Sequence, residues 1–271
     1  MRVLCAGLAT KDTVIAVPAL PEVDGRVVAH DEVVAGGGPA ATAAVTLARL
    51  GVDVAFAGAV GDDDAGAFVL AGLAAEGVDV SRVATVPGAR TPRSTILVAG
   101  DGSRAIVHVP GDAPFPALDA TGAEWVHVDH AGYGSIAGRL SVDAGNPIDE
   151  LDLRDVELYA PTDERLRADF GDAHAALSAG AKLVVVTRGA DGCTAVSAAG
   201  EVRMPGVPCE SLVSTLGAGD VFHGALLAYL VEDAPLEHAL RAANTAASLS
   251  CRALDGRTAI PTRDELEAAL A

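Results

Sequence analysis

Aromatic residues are scarce: one Trp, three Tyr and five Phe in 271 residues leave almost no surface on which bases could stack. Positive charge is scarce as well. Nineteen Lys and Arg face 37 Asp and Glu, a formal charge of −18 at pH 7. Nucleic acid and anionic membrane both require a basic face, so this composition excludes them as partners. The four cysteines (Cys5, Cys193, Cys209, Cys251) show no metal-ligand spacing and read as reduced thiols of a cytoplasmic protein. There is no long uncharged apolar run, no internal repeat and no low-complexity linker. Met1-Arg2 leads straight into a strand-like run rather than a signal peptide, and the expectation is a soluble chain.

Hydrophobic residues make up 50% of the chain and glycine is abundant, at 30 residues. That is enough for one large α/β domain. Strand-like and helix-like runs alternate through most of the sequence, which predicts a mostly parallel sheet with helices on both faces. Arg2–Ala9 reads as a first buried strand, and a glycine turn with Pro39 opens an alanine-rich helix ending at Gly51. Two segments break the pattern. Over 12–35, short β-branched runs (14–17 and 27–28) alternate with Pro, Asp and Gly, and residues 91–110 form a hairpin around Gly100-Asp101-Gly102. Residues 139–155 carry no decisive pattern.

The chemistry concentrates in Ser214-Thr215-Leu216-Gly217-Ala218-Gly219-Asp220-Val221-Phe222-His223-Gly224. Small residues opening a helix leave backbone N–H groups without partners, and these make an anion site with the positive end of the helix dipole. Asp220 beside such a site can take a proton from an attacking hydroxyl while the amides of Gly217, Ala218 and Gly219 hold the charge on the transferred group. That division of labour describes phosphoryl transfer to an alcohol. A glycine-rich turn capped by Thr215 would account for the same residues without any chemistry.

The stretch resembles the C-terminal motif of the ribokinase (PfkB) family of sugar kinases, Asp-Thr-x-Gly-Ala-Gly-Asp-x-Phe, with Ser214 at the first position. Gly37, Gly38, Ala44, Leu50 and Gly51 are similarly placed to that family's N-terminal motif, with Thr42 where an Asn is usual. Val60-Gly61-Asp62-Asp63-Asp64-Ala65-Gly66 resembles a third family turn; its three carboxylates read as helix caps rather than a metal site. The resemblance covers nearly the whole chain. It implies a ribokinase-like single domain over 1–271, with 12–35 and 91–110 as a β-sheet lid that often pairs between subunits, hence a homodimer.

It further implies an ATP- and Mg²⁺-using sugar kinase with Asp220 as catalytic base. Nucleotide contacts would come from Thr187, Gly189 and Gly192 (a Thr-x-Gly-x-x-Gly loop), Thr215 and Asn244. Asp12, Gly37, Gly38, Thr42, Asp129 and His130 would line the sugar. Lid arginines Arg26, Arg90, Arg93 and Arg104 could meet an anionic substituent, and Arg93 is the one taken as a substrate residue. Thr162 and Arg165 replace the Asn and Glu of the family's Pro-Asn-x-x-Glu, leaving Glu164, one place off register, as the substitute metal ligand. The runs Gly36-Gly37-Gly38-Pro39 and Gly256-Arg257 look similar to the sulfofructose kinase and ketohexokinase branch, so a ketohexose or its derivative is the favoured acceptor. A nucleoside kinase and a non-catalytic sugar- or nucleotide-binding relative are the alternatives.

Overall fold

The computed structural model describes residues 1–271. In chain order the strands and helices are β1 (Val3–Ala6), β2 (Thr10–Val17), β3 (Asp31–Gly37), α1 (Pro39–Arg49), β4 (Val54–Gly61), α2 (Asp64–Ala75), β5 (Asp79–Val86), β6 (Arg93–Ala99), β7 (Arg104–Val109), β8 (Trp125–Val128), β9 (Leu140–Ala144), β10 (Val156–Pro161), α3 (Asp163–Asp169), α4 (Ala173–Ser178), β11 (Leu183–Thr187), β12 (Cys193–Ser197), β13 (Gly200–Met204), α5 (Ala218–Val231), α6 (Leu236–Ser250) and α7 (Arg263–Leu270).

Nine strands form the main sheet, in the order β13-β12-β11-β10-β9-β8-β1-β4-β5. Neighbours from β11 to β5 run parallel, and β12–β13 is an antiparallel hairpin at one edge. Central strands such as β1 and β8 are buried on both faces, as their largely apolar runs require, with His127 the one polar residue of β8. One face packs against α1, α2, α5, α6 and α7 through Leu47, Leu73, Leu226, Leu240 and Leu266. The other packs on α3 and α4, helped by irregular segments carrying Leu118, Ile148 and Leu151. Acidic residues at 62–64 do cap a helix: Asp63 accepts from Gly66 N–H at the start of α2.

The two irregular segments join in a separate four-stranded sheet, β3-β2-β6-β7. It is antiparallel except for β2–β6, which runs parallel. Its inner face carries Val14, Ile96 and Val98, packed with Leu216 and Leu254 near the start of α5. Valines 27 and 28 do not form a strand. The chain loops from 18 to 30, leaving Val28 80% exposed, and β3 begins only at Asp31. Residues 139–155 hold β9, a central strand whose polar Ser141 and Asp143 are buried. No helix of the molecule is long and apolar enough to cross a membrane.

Candidate active site

The start of α5 is built by a turn. Gly217 caps the helix in the left-handed region, with φ 74°, which glycine adopts without strain. That turn sends the Ala218 N–H back to the Thr215 carbonyl, 3.3 Å away. The backbone N–H groups of Gly217, Gly219 and Asp220 are the ones left without protein partners. The free donors therefore differ from the expected trio: the Ala218 N–H is taken and the Asp220 N–H is free.

The Asp220 side chain keeps a partly open surface but is otherwise packed in protein. Burial, then the carboxylate of Asp143, pushes its pKa up to about 8, with Asp129 adding to the rise and His223 and Arg257 opposing it. A carboxyl with that affinity can accept a proton near neutral pH.

Asp12, on β2, is 8% exposed, and its Oδ1 has no partner. Burial raises its pKa, against the hydroxyls of Thr10 and Ser94 and the charge of Arg257. A Cβ on Gly37 would overlap Asp12 Oδ2, and one on Gly38 would overlap the Leu8 carbonyl. The glycines thus bring α1 and β3 tight against the carboxylate. Thr10 Oγ1 and His130 Nδ1 are likewise buried without partners. Asp12, Gly37 and Thr42 come together around Arg257, Gly38 packs on Leu8 just past β1, and His130 follows the carboxyl end of β8.

Two of the expected sugar residues do not face this space. Asp129 is 1% exposed, and its oxygens accept from the N–H groups of Leu8, Ala40, Ala131 and Gly132 at 2.8–3.1 Å. Its acceptor capacity is spent on joining β1, β8 and α1. Arg93 alternates with buried Ser94 on β6, so it points to the outer face and pairs with Asp63 at 2.8 Å. Arg90 is held by Asp112 at 3.0 Å. Arg104 crosses to Thr215, donating to its Oγ1 at 2.9 Å.

Arg257 is a residue whose role was not anticipated. It is 8% exposed, its Nε donates to Thr42 Oγ1 at 3.2 Å and its Nη2 to the Gly37 carbonyl at 2.7 Å. Burial lowers its pKa to about 10, against the pull of Asp12 and Asp220, so it stays charged at neutral pH. Arg49 donates to the carbonyls of Arg257 and Ile260 and fixes the loop. The signals in the sequence were the Gly256-Arg257 likeness and a short Thr42 where a longer amide was expected.

On the other side of α5, Thr187 ends β11 and the turn to Gly192 follows. Arg188 N–H closes that turn on the Gly192 carbonyl at 2.8 Å. A Cβ on Gly192 would overlap the Met204 carbonyl. Asn244 reaches the neighbouring segment, but its Nδ2 is committed to the Pro205 carbonyl at 2.9 Å, bracing the chain after β13. A groove of about 660 Å³ beside this edge, between α3–α4 and β12–β13, contains neither Asp12 nor Asp220.

No three His, Cys, Asp or Glu side chains group as a metal site. Thr162 is used as the cap of α3, and Arg165 is paired with Asp169 at 2.5 Å. Glu164 stands exposed and alone beside them. The side chains present do not make a protein cage for a divalent ion.

A mostly parallel sheet with a helix N-terminus and a raised carboxyl at its carboxyl edge is an arrangement suited to phosphoryl transfer to an alcohol. The sequence model of the pfkB family of carbohydrate kinases matches residues 1–152 and 157–263, and the chain belongs to that family. It is 30% identical to the ATP-dependent ribose-1-phosphate kinase of Halopiger xanaduensis, over 100% of this chain and 98% of that one. With the ribokinase of Bacillus subtilis it shares 29% identity, covering 98% and 99% of the two chains. The crystal structure of Thermotoga maritima ribokinase superposes with a TM-score of 0.83 at 22% identity, covering 100% and 99%. The protein is thus an ATP-dependent carbohydrate kinase with the ribokinase-like fold.

Proposed function

We propose that the protein transfers the γ-phosphoryl group of ATP to the primary hydroxyl of a ribose-type furanose. The observation that carries this reading is Asp220, set in the first turn of α5 beside three unpartnered amides. Asp220 takes the hydroxyl proton as the oxygen bonds to the γ-phosphorus; the bond to the bridging β–γ oxygen breaks and ADP leaves. The amides of Gly217, Gly219 and Asp220 meet the charge on the phosphoryl oxygens. Asp12, with its free Oδ1, holds ring hydroxyls. Thr187, Gly189, Gly192 and Thr215 line the nucleotide side, and Arg104 on β7 brings a positive charge to Thr215. Mg²⁺ supplies charge neutralisation of the nucleotide when bound. Its ligands would be phosphate oxygens and water, with Glu164 the free carboxylate of that turn.

Ketohexoses were the favoured acceptors on motif likeness. Relatives named for ribose or its derivatives match at higher identity than the mouse ketohexokinase, at 24%, and ribose-type acceptors take precedence here. A ribose substituted at its anomeric carbon is a second reading. A cavity of about 240 Å³ adjoins the sugar space, lined by Leu8, Ala59, Pro92, His108 and Phe115. Relatives include a ribose-1-phosphate kinase and, at 28% identity, the aminoimidazole riboside kinase of Salmonella typhimurium. The test is ADP formation with D-ribose, ribose 1-phosphate, inosine and D-fructose in turn. Preference for a ribose compound is expected; preference for fructose would overturn it, and no turnover with any sugar would favour a non-catalytic relative.

A further inference from the structure

Beneath Asp220 lies a set of polar side chains that the reaction so far does not use. His223 follows Asp220 by three residues on α5, so the two project from neighbouring positions on one side of the helix. The His223 ring is 5% exposed, and its Nδ1 lies 2.7 Å from Oδ2 of Asp143 on central strand β9, which is 4% exposed. The contact is close but off the ideal hydrogen-bond angle. His127, on adjacent β8, stands with its ring centroid 6.3 Å from that of His223 and its Nδ1 3.1 Å from Ser141 Oγ. Both Nε2 atoms are buried without protein partners. The Phe222 and His223 rings meet edge to face, and from α1 Ala43 and Thr46 pack against Gly224.

Two carboxylates buried near one another cannot both ionise unless a cation stands with them; otherwise they share a proton. Asp143 meets His223, three residues along α5 from Asp220, and its charge raises the affinity of Asp220 for a proton; a base that holds a proton is not free to take one.

We propose that His223 is a positioning residue: its imidazolium, held by Asp143, lowers the pH at which Asp220 gives up its proton and so makes the carboxylate available for proton abstraction nearer neutral pH. The proposal rests on Asp220 being the base. Charge bookkeeping within the cluster agrees with it. Burial disfavours the His223 cation, but Asp143 outweighs it and the net shift is upward, while the same contact outweighs burial and draws Asp143 down. Burial drives His127 down to about 4, so it stays neutral. Arg257 adds positive charge near Asp220 and Asp129 negative. His223 is the cation inside the group.

The test is the pH dependence of kcat/KM for wild type, His223→Gln, the double variant His223→Gln/Asp143→Asn, and Asp220→Asn. In H223Q the acid limb should move alkaline by about one pH unit, roughly a tenfold loss on that limb, with the high-pH plateau kept. In the double variant both charges are gone and the limb should return toward wild type. A histidine that only fills space would lower the whole profile and gain nothing from D143N. An H223Q limb superimposable on wild type overturns the proposal, as does a displaced limb that D143N fails to restore. Should D220N turn over normally, the base assignment falls instead, and the two failures are distinct. Imidazole ¹H–¹⁵N spectra of the wild-type protein at pH 7 give a check that needs no variant. Doubly protonated His223 is expected, and a neutral ring overturns the proposal.

Discussion

Asp220 is costly to keep charged, and that cost is measurable apart from catalysis. An unfolded aspartate ionises near pH 4, whereas this one in the folded state ionises at about 8. Across that interval the folded protein binds the extra proton, so stability is highest below the lower value and is lost as pH rises through the higher one. Asp220→Asn removes the titration. It should leave the Tm nearly unchanged at pH 5 and raise it by a few degrees at pH 8, while turnover falls by roughly a hundredfold or more. Calorimetry at the two pH values, with initial rates, checks both; a D220N protein that is less stable at pH 8 would contradict the account of its burial. The turn that opens α5 at Gly217 and the close fit of Gly37 and Gly38 were legible in the sequence because short glycine motifs mark them. Arg257, and the pairing of His223 with Asp143, were not, since each contact joins residues far apart in the chain. Asp129 was legible as important but not as bracing, because its four partners lie on three different segments.

Among the elements, β9 shows why local pattern failed. Leu140-Ser141-Val142-Asp143-Ala144 reads as half-exposed, yet Ser141 lies directly opposite His127 in the parallel register and Asp143 meets α5, so its polar side is as buried as its apolar one. The helices were easier: α7 spans Arg263–Leu270 as its pattern indicates, closed by a Thr262–Glu265 capping box. The second sheet was legible as two hairpin-like segments, but which face of β6 turned inward was not, and Arg93 was misplaced with it. The close fit of β3 against β2 gives a sharp prediction. Gly37→Ala would put a methyl group into Asp12 Oδ2, whereas Gly72→Ala, on α2, meets nothing within 4 Å. G37A should raise the sugar KM roughly tenfold or more by displacing Asp12, and leave ATP affinity unchanged. G72A should leave both constants alone. Equal sugar KM values for the two variants would remove Asp12 from the sugar site.

At the scale of the molecule, the outer face of the second sheet is covered by the start of α2 at one end, where Lys11 lies over Phe68 and Arg93 pairs with Asp63, and is bare beyond it. The cross-strand register sets Val34, Thr13, Thr95 and Val107 in one row, and Glu32, Ile15, Leu97 and Ala105 in the next. Val107 is 64% exposed, Val109 51% and Val34 43%, and β3 and β7 are open edges. A soluble sheet rarely leaves such edges and faces uncovered, and a second copy of the same face would cover both. We therefore expect a homodimer through the second sheet, in which each lid is stiffened by its partner. Every subunit carries a formal charge of −18, so two copies repel over the whole surface while the apolar contact holds them at one face. Screening weakens the repulsion, with a Debye length of about 10 Å at 0.1 M salt, but does not weaken the apolar term. Association should accordingly tighten between low salt and 0.2 M NaCl, the reverse of a dimer held by ion pairs. Val107→Asp should shift the equilibrium toward monomer at every salt concentration, because it buries a charge within the apolar contact. Sedimentation velocity at micromolar protein separates the cases: a wild-type monomer at 0.2 M NaCl would exclude this interface, and a dimer that loosens with salt would mean that ion pairs, not the valine face, hold it.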